Sequence, residues 1–199
     1  MAPTKQSVAI LIFDQVELLD FAGPIEVFSS ARLGAAGQDR LMDVFTVAET
    51  VERVTCRNGL VVHPAFSLDN CPPVDILVVP GGYGTRTAVN RPELINWIAD
   101  SSKKSALTTS VCTGSFLLAQ AGLLNNRAAT THWASIERMR QDYPEVEVKE
   151  KIRWVDAGDV ITSAGVSAGI DMALHVLARL YGPEIAATTA RNIEYDYWA

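Results

Sequence analysis

Three runs of apolar and β-branched residues, Ser7 to Phe13, Asp75 to Pro80 and Ser105 to Val111, each lead into a loop and then a helical pattern. A strand that is nearly all apolar is buried on both faces, as in a parallel sheet covered by helices above and below. Strands alternating with helices form βαβ units, and right-handed crossovers put the helices on both faces of a doubly wound sheet. The expected fold is α/β, with a mostly parallel sheet in one domain spanning residues 1–199. That length suffices for a sizeable core.

A finer reading places a loop from Asp14 to Ala22 and a helix from about Gly23, with Pro24 in its first turn. Val44 to Ala48 is the second strand. Val51 to Val54 and Leu60 to Val62 flank Arg57-Asn58-Gly59, which predicts a small β-hairpin. Helices are expected from Pro92 through Trp97, Thr113 to Leu124, after His132 to about Gln141, Ser167 to Leu180, and onward from Pro183. Ala128 to Thr131, Val146 to Val148, Ile152 to Val155 and Val160 to Thr162 are strand-like.

In such sheets the loops leaving the strand C-termini share one edge, where ligands bind. Here that edge gathers Asp20, Gly81, Gly82, Cys112, His132 and the Gly165-Val166-Ser167 junction. Cys112 stands where a strand turns sharply into a helix among small residues, which presents a side chain outward. A helix N-terminus favours thiolate over thiol, and a thiolate attacks carbon. Asp20, between Leu19 and Phe21, is expected to be desolvated, which raises its pKa and lets it carry a proton near neutrality. The N–H groups of Gly81, Gly82 and Thr113 could face developing negative charge. His132 is either the base of a Cys-His pair or a loop histidine bonding backbone. The Gly81-Gly82 loop lacks both the P-loop ending and dinucleotide-binding spacing. No cluster has metal-ligand spacing, so neither metal nor organic cofactor is expected.

Net charge −6 and the lack of a Lys/Arg stripe argue against a nucleic-acid surface. No apolar run approaches the ~20 residues that span a bilayer. The opening Met1 to Gln6 lacks the pattern of a signal peptide, and three cysteines without CxxC spacing suit a reducing compartment. The expectation is a cytoplasmic protein acting on a small molecule.

The acid after the first strand, Val-Val-Pro-Gly-Gly ending at Gly82, Ser-Val-Cys-Thr-Gly-Ser about Cys112 and Thr-Thr-His-Trp ending at Trp133 together resemble the DJ-1/PfpI superfamily. That superfamily is a branch of the flavodoxin-like, class I glutamine amidotransferase-like fold. The segments from Leu18 to Phe28, Ser110 to Leu124, Arg127 to Trp133 and Ser163 to Leu174 are similar to its isocyanide hydratase and InhA-like subgroup. The resemblance implies Cys112 as nucleophile, Asp20 as the acid bonded to it and Thr113 as the residue following it. It also implies Gly81 and Gly82 as the loop facing the sulfur, Val166 as a lining residue, and a homodimer. The implied activity adds water to an isocyanide, giving an N-substituted formamide through a Cys112 thioimidate, with no cofactor. Thr113 stands where PfpI-type peptidases have His, and Asp20 where DJ-1-like glyoxalases have Glu. The same motifs resemble the sensor half of AraC-type transcription regulators, although the sequence to Ala199 contains no helix-turn-helix. A glyoxalase-type enzyme or a redox-responsive protein oxidised at Cys112 are further alternatives.

Overall fold

The computed structural model of the protein describes residues 5–33 and 39–196; residues 1–4, on which part of the signal-peptide reading rests, lie outside them. Seven strands form the main sheet: β1 (Gln6–Leu11), β2 (Met42–Ala48), β3 (Phe66–Ser67), β4 (Ile76–Val79), β5 (Leu107–Val111), β6 (Trp154–Asp156) and β7 (Val160–Ser163). Their order is β6-β7-β5-β4-β1-β2-β3, all parallel except β6, which runs antiparallel to β7. Strand β4 and all but the first two residues of β1 are buried on both faces, which is why those segments carry no alternation. Besides a single turn at Thr85–Ala88, the helices are α1 (Leu18–Ser30), α2 (Pro92–Lys104), α3 (Gly114–Gln120), α4 (Ile136–Asp142), α5 (Ala168–Tyr181) and α6 (Pro183–Asn192).

Helix α1 begins five residues before the position expected from Pro24, which lies in its interior. Proline has no N–H to return to the carbonyl four residues back, a cost usually met only at a helix start. Burial on this face outweighs it: Asp20 is fully buried, Phe21 is 4% exposed, and Val27 and Phe28 are fully buried in the core. Asp20 therefore sits in the first turn of a packed helix and not in a loop.

The predicted hairpin is present but short, Val54–Thr55 against Val61–Val62, around a Gly59 with φ +87°. Its first strand and turn are fastened to the segment after β1: Gln15 N–H donates to the Thr55 carbonyl at 2.8 Å and Arg57 N–H to the Val16 carbonyl at 3.0 Å. Ala128–Ala129 pairs with Glu147–Val148 in a separate parallel two-stranded ribbon. Edge strand β3 was not anticipated, because Phe66 and Ser67 are too few to form a pattern.

The strand order reverses between β1 and β4. The loops after β1, β4 and β5 thus open at one edge around this switch point, where doubly wound sheets bind ligands.

Candidate active site

Cys112 follows the last residue of β5 with φ +57°, a left-handed conformation that few non-glycine residues adopt. The surroundings hold it there. Its N–H is shared between the carbonyls of Ser163 and Ala164. Its carbonyl accepts from the hydroxyls of Ser115 and Thr131, both at 3.0 Å. Gly114 makes the turn possible: a Cβ there would lie 2.1 Å from the Val79 carbonyl oxygen. The strand-to-turn geometry read from the small residues is therefore present.

Asp20 approaches from α1. Gly81 N–H donates to its Oδ2 at 3.0 Å, and a Cβ on Gly81 would stand 2.9 Å from that oxygen and 2.5 Å from the Thr113 nitrogen. Among the described residues Asp20 Oδ1 is buried with no hydrogen-bond partner. Burial pushes the carboxyl up to about 7, with Glu17 adding to the rise, against the lowering pull of Gly81, the Cys112 side chain and the Val166 backbone. The helix start favours a carboxylate, yet desolvation prevails.

The sulfur follows the same logic, against the expectation of a resting thiolate. Burial and then the neighbouring Asp20 charge push Cys112 up to about 12, outweighing the backbone and side chain of Thr113. Asp20 raises the Cys112 pKa while the Cys112 side chain lowers that of Asp20, so the two are coupled and titrate as a unit. Between about pH 7 and about pH 12 the Cys112–Asp20 pair therefore holds one proton.

The glycine loop does a different job from the one expected of it. Gly81 N–H is used by Asp20, and Gly82 N–H donates to Thr113 Oγ1 at 3.0 Å. Neither is a free donor; they brace Asp20 and Thr113. Thr85 Oγ1 donates to the Gly82 carbonyl and contacts Thr113 Oγ1 at 3.2 Å, completing this brace. Val166, with φ +52°, lines the cavity and touches the acid through its backbone.

His132 lines the cavity too, but its Nδ1 accepts from Ala134 N–H at 3.2 Å, capping a helical turn, and its ring lies against Gly165. Burial and then Arg57 lower its pKa, which favours the neutral ring. It makes no hydrogen bond to Cys112 among the described residues, which agrees with the backbone-bonding reading. Among the same residues no three His, Cys, Asp or Glu side chains cluster as metal ligands, and no helix is long and apolar enough to cross a membrane.

The cavity over Cys112 measures about 410 Å³. Its outer wall was not legible in the sequence. Arg57, at the hairpin tip, pairs with Glu17 at 2.7 Å and lies 4.1 Å over the Tyr83 ring. Arg86, Trp133 and Arg138 continue the rim. Only the docking of the hairpin on the β1–α1 connection brings Arg57 here, and no local pattern signals that. A larger hollow of about 510 Å³ beside Cys71, Trp97 and Lys104 lies at the opposite edge of the sheet, away from the Cys112–Asp20 pair.

The model of the DJ-1/PfpI family matches residues 6–179. The chain is 33% identical to the isonitrile hydratase of Pseudomonas putida, over 94% of this chain and 78% of that protein. It is 30% identical to the HTH-type transcriptional regulator GbdR of Pseudomonas aeruginosa, over 96% of this chain but only 51% of the regulator. Among solved structures, a THiJ/PfpI family protein from Pseudomonas syringae superposes with a TM-score of 0.87 at 29% identity, covering 99% of this chain and 78% of that one.

Proposed function

This chain belongs to the DJ-1/PfpI family, and from that premise we propose that it hydrates an isocyanide to an N-substituted formamide at Cys112. The observation that carries this reading is the Cys112–Asp20 pair, a sulfur on a strained turn beside a buried acid titrating near neutrality. The likeness to isonitrile hydratase supports the choice of substrate.

Cys112 Sγ bonds to the terminal isocyanide carbon while the pair's one proton passes from Asp20 to that carbon, giving a thioimidate and an Asp20 carboxylate. The carboxylate then takes a proton from water as the water oxygen bonds to the same carbon. The C–S bond breaks, the nitrogen gains the second water proton, and the formamide leaves with the pair holding one proton again. Two moderate barriers replace one high barrier, as in covalent catalysis generally. Gly81 and Thr113 position the acid and the turn. No cofactor takes part in this scheme.

A second reading has its own support. Alignment with GbdR runs through nearly the whole chain, so a ligand-sensing role related to AraC-type regulators fits the same cavity without turnover. A homodimer and a cytoplasmic location belong to the first proposal. A solution mass near twice 21.6 kDa would support the dimer, and a monomer mass would remove it.

The test is an assay of phenyl isocyanide and methylglyoxal, side by side, with wild type, Cys112→Ala and Asp20→Asn. Formamide production lost in both variants supports the hydratase. Equal rates in wild type and Cys112→Ala overturn it, and turnover of methylglyoxal alone favours a glyoxalase. Ligand binding without turnover of either favours the sensor.

A further inference from the structure

Among the described residues three guanidinium groups, Arg57, Arg86 and Arg138, line the cavity against one carboxylate, that of Glu17. Arg57 is committed to Glu17, but the other two are not committed to any acid. Among the described residues neither Arg86 nor Arg138 makes an ion pair or donates a side-chain hydrogen bond. Arg138 is half-buried, its guanidinium carbon 4.0 Å from the Phe116 ring centroid, and its Nε is buried with no partner. A buried N–H without an acceptor is uncommon in a folded protein and calls for an explanation. On the same rim Trp133 is 80% exposed, an unusual position for so large an apolar side chain. Its ring leans against His132 at 5.5 Å, which holds it beside the opening.

We propose that the outer part of this cavity is an anion subsite, and that the substrate is an aromatic isocyanide bearing a carboxylate. The carboxylate meets Arg138 and Arg86, the ring lies against Trp133, and the isocyanide carbon points inward to Cys112. Guanidinium groups match carboxylates through paired, charge-assisted hydrogen bonds. The cavity volume lies within the range of small-molecule sites. The isocyanide half of this assignment rests on the hydratase reading, and the anion subsite does not.

Two measurements separate the parts. The first compares kcat/KM for 4-isocyanobenzoate and phenyl isocyanide. The ratio should favour the carboxylate by about tenfold or more, mainly through KM, and shrink as salt is added. In Arg138→Gln it should collapse toward one, with partial recovery in Arg138→Lys. Arg86→Gln, on an exposed side chain, should lower it in the same direction and serves if Arg138→Gln fails to fold. The second is calorimetric binding of 4-formamidobenzoate against formanilide, which requires no turnover. If both isocyanides are hydrated with equal kcat/KM, the subsite is overturned and the hydratase stands. If neither is hydrated but 4-formamidobenzoate binds in preference to formanilide and Arg138→Gln or Arg86→Gln weakens it, the subsite stands and the hydratase falls. If neither is hydrated and there is no preferential binding, both are overturned.

Discussion

The backbone N–H of Gly81 donates to Asp20 Oδ2 across 3.0 Å, joining the loop after β4 to the first turn of α1. This bond fixes one carboxylate oxygen, while the other is buried without a partner. The acid is held in place but incompletely solvated by protein. Burial lets it keep a proton to near pH 7, against the lowering pull of the Gly81 bond.

The rate should follow the proton content of the Cys112–Asp20 pair. Below about pH 7 both groups are protonated and the sulfur is a neutral thiol. Above it one proton remains, the state that supplies both nucleophile and acid. Activity is therefore expected to rise through a midpoint near pH 7 to a plateau that extends through pH 9. Initial rates from pH 5.5 to 9 check this, and a flat profile would remove the pair as the titrating device. Asp20→Asn should abolish the limb and lower the rate by about 10²–10⁴.

Stability should respond to the same carboxyl in the opposite sense. Its folded pKa of about 7 lies above the ordinary 3.8, so between those values the folded state binds more protons than the unfolded one. Stability contributed by this group is full below about pH 4, falls as pH rises, and is lost above about pH 7. Asp20→Asn carries no charge to desolvate and should gain on the order of 1–3 kcal/mol over wild type at pH 8, with little gain at pH 4. Urea denaturation at the two pH values measures the difference. A variant less stable than wild type at pH 8 would contradict the assignment.

Gly114→Ala should be severely destabilising, because the added methyl would lie 2.1 Å from the Val79 carbonyl oxygen, on the backbone of β4. Overpacking of this kind costs about 1–3 kcal/mol and at times more. A thermal unfolding midpoint equal to that of wild type would mean that the turn is looser than its geometry indicates.

His132→Asn should leave the rate within about fivefold of wild type, since the Asn side chain can still accept from Ala134 N–H as a cap. His132→Ala removes the cap and should cost about 0.5–2 kcal/mol in stability. A hundredfold loss of rate in the Asn variant would instead mark the ring as a base acting on the sulfur.

Residue chemistry along the chain was enough to identify the buried parallel strands, the turn at Cys112 and the desolvated acid. Apolar runs, small residues around a cysteine, and an aspartate between Leu19 and Phe21 are local signals of local physics. The start of α1 was misjudged for the same reason. Pro24 is a strong local breaker, and the burial of Phe21, Val27 and Phe28 that overrides it is not local. Likewise, Arg57 read only as a turn residue until the hairpin docked, and Gly81 and Gly82 read as free donors until their N–H groups met Asp20 and Thr113.

The sequence by itself determined an α/β sheet with a cysteine and an acid at its ligand-binding edge, because strand burial and turn chemistry are written in neighbouring residues. Only the tertiary structure decided the charge state of that pair, the partners of the glycine N–H groups, the orientation of His132 and the basic rim. Each of these depends on how deeply groups distant in the chain bury one another, and desolvation is a property of the packed whole.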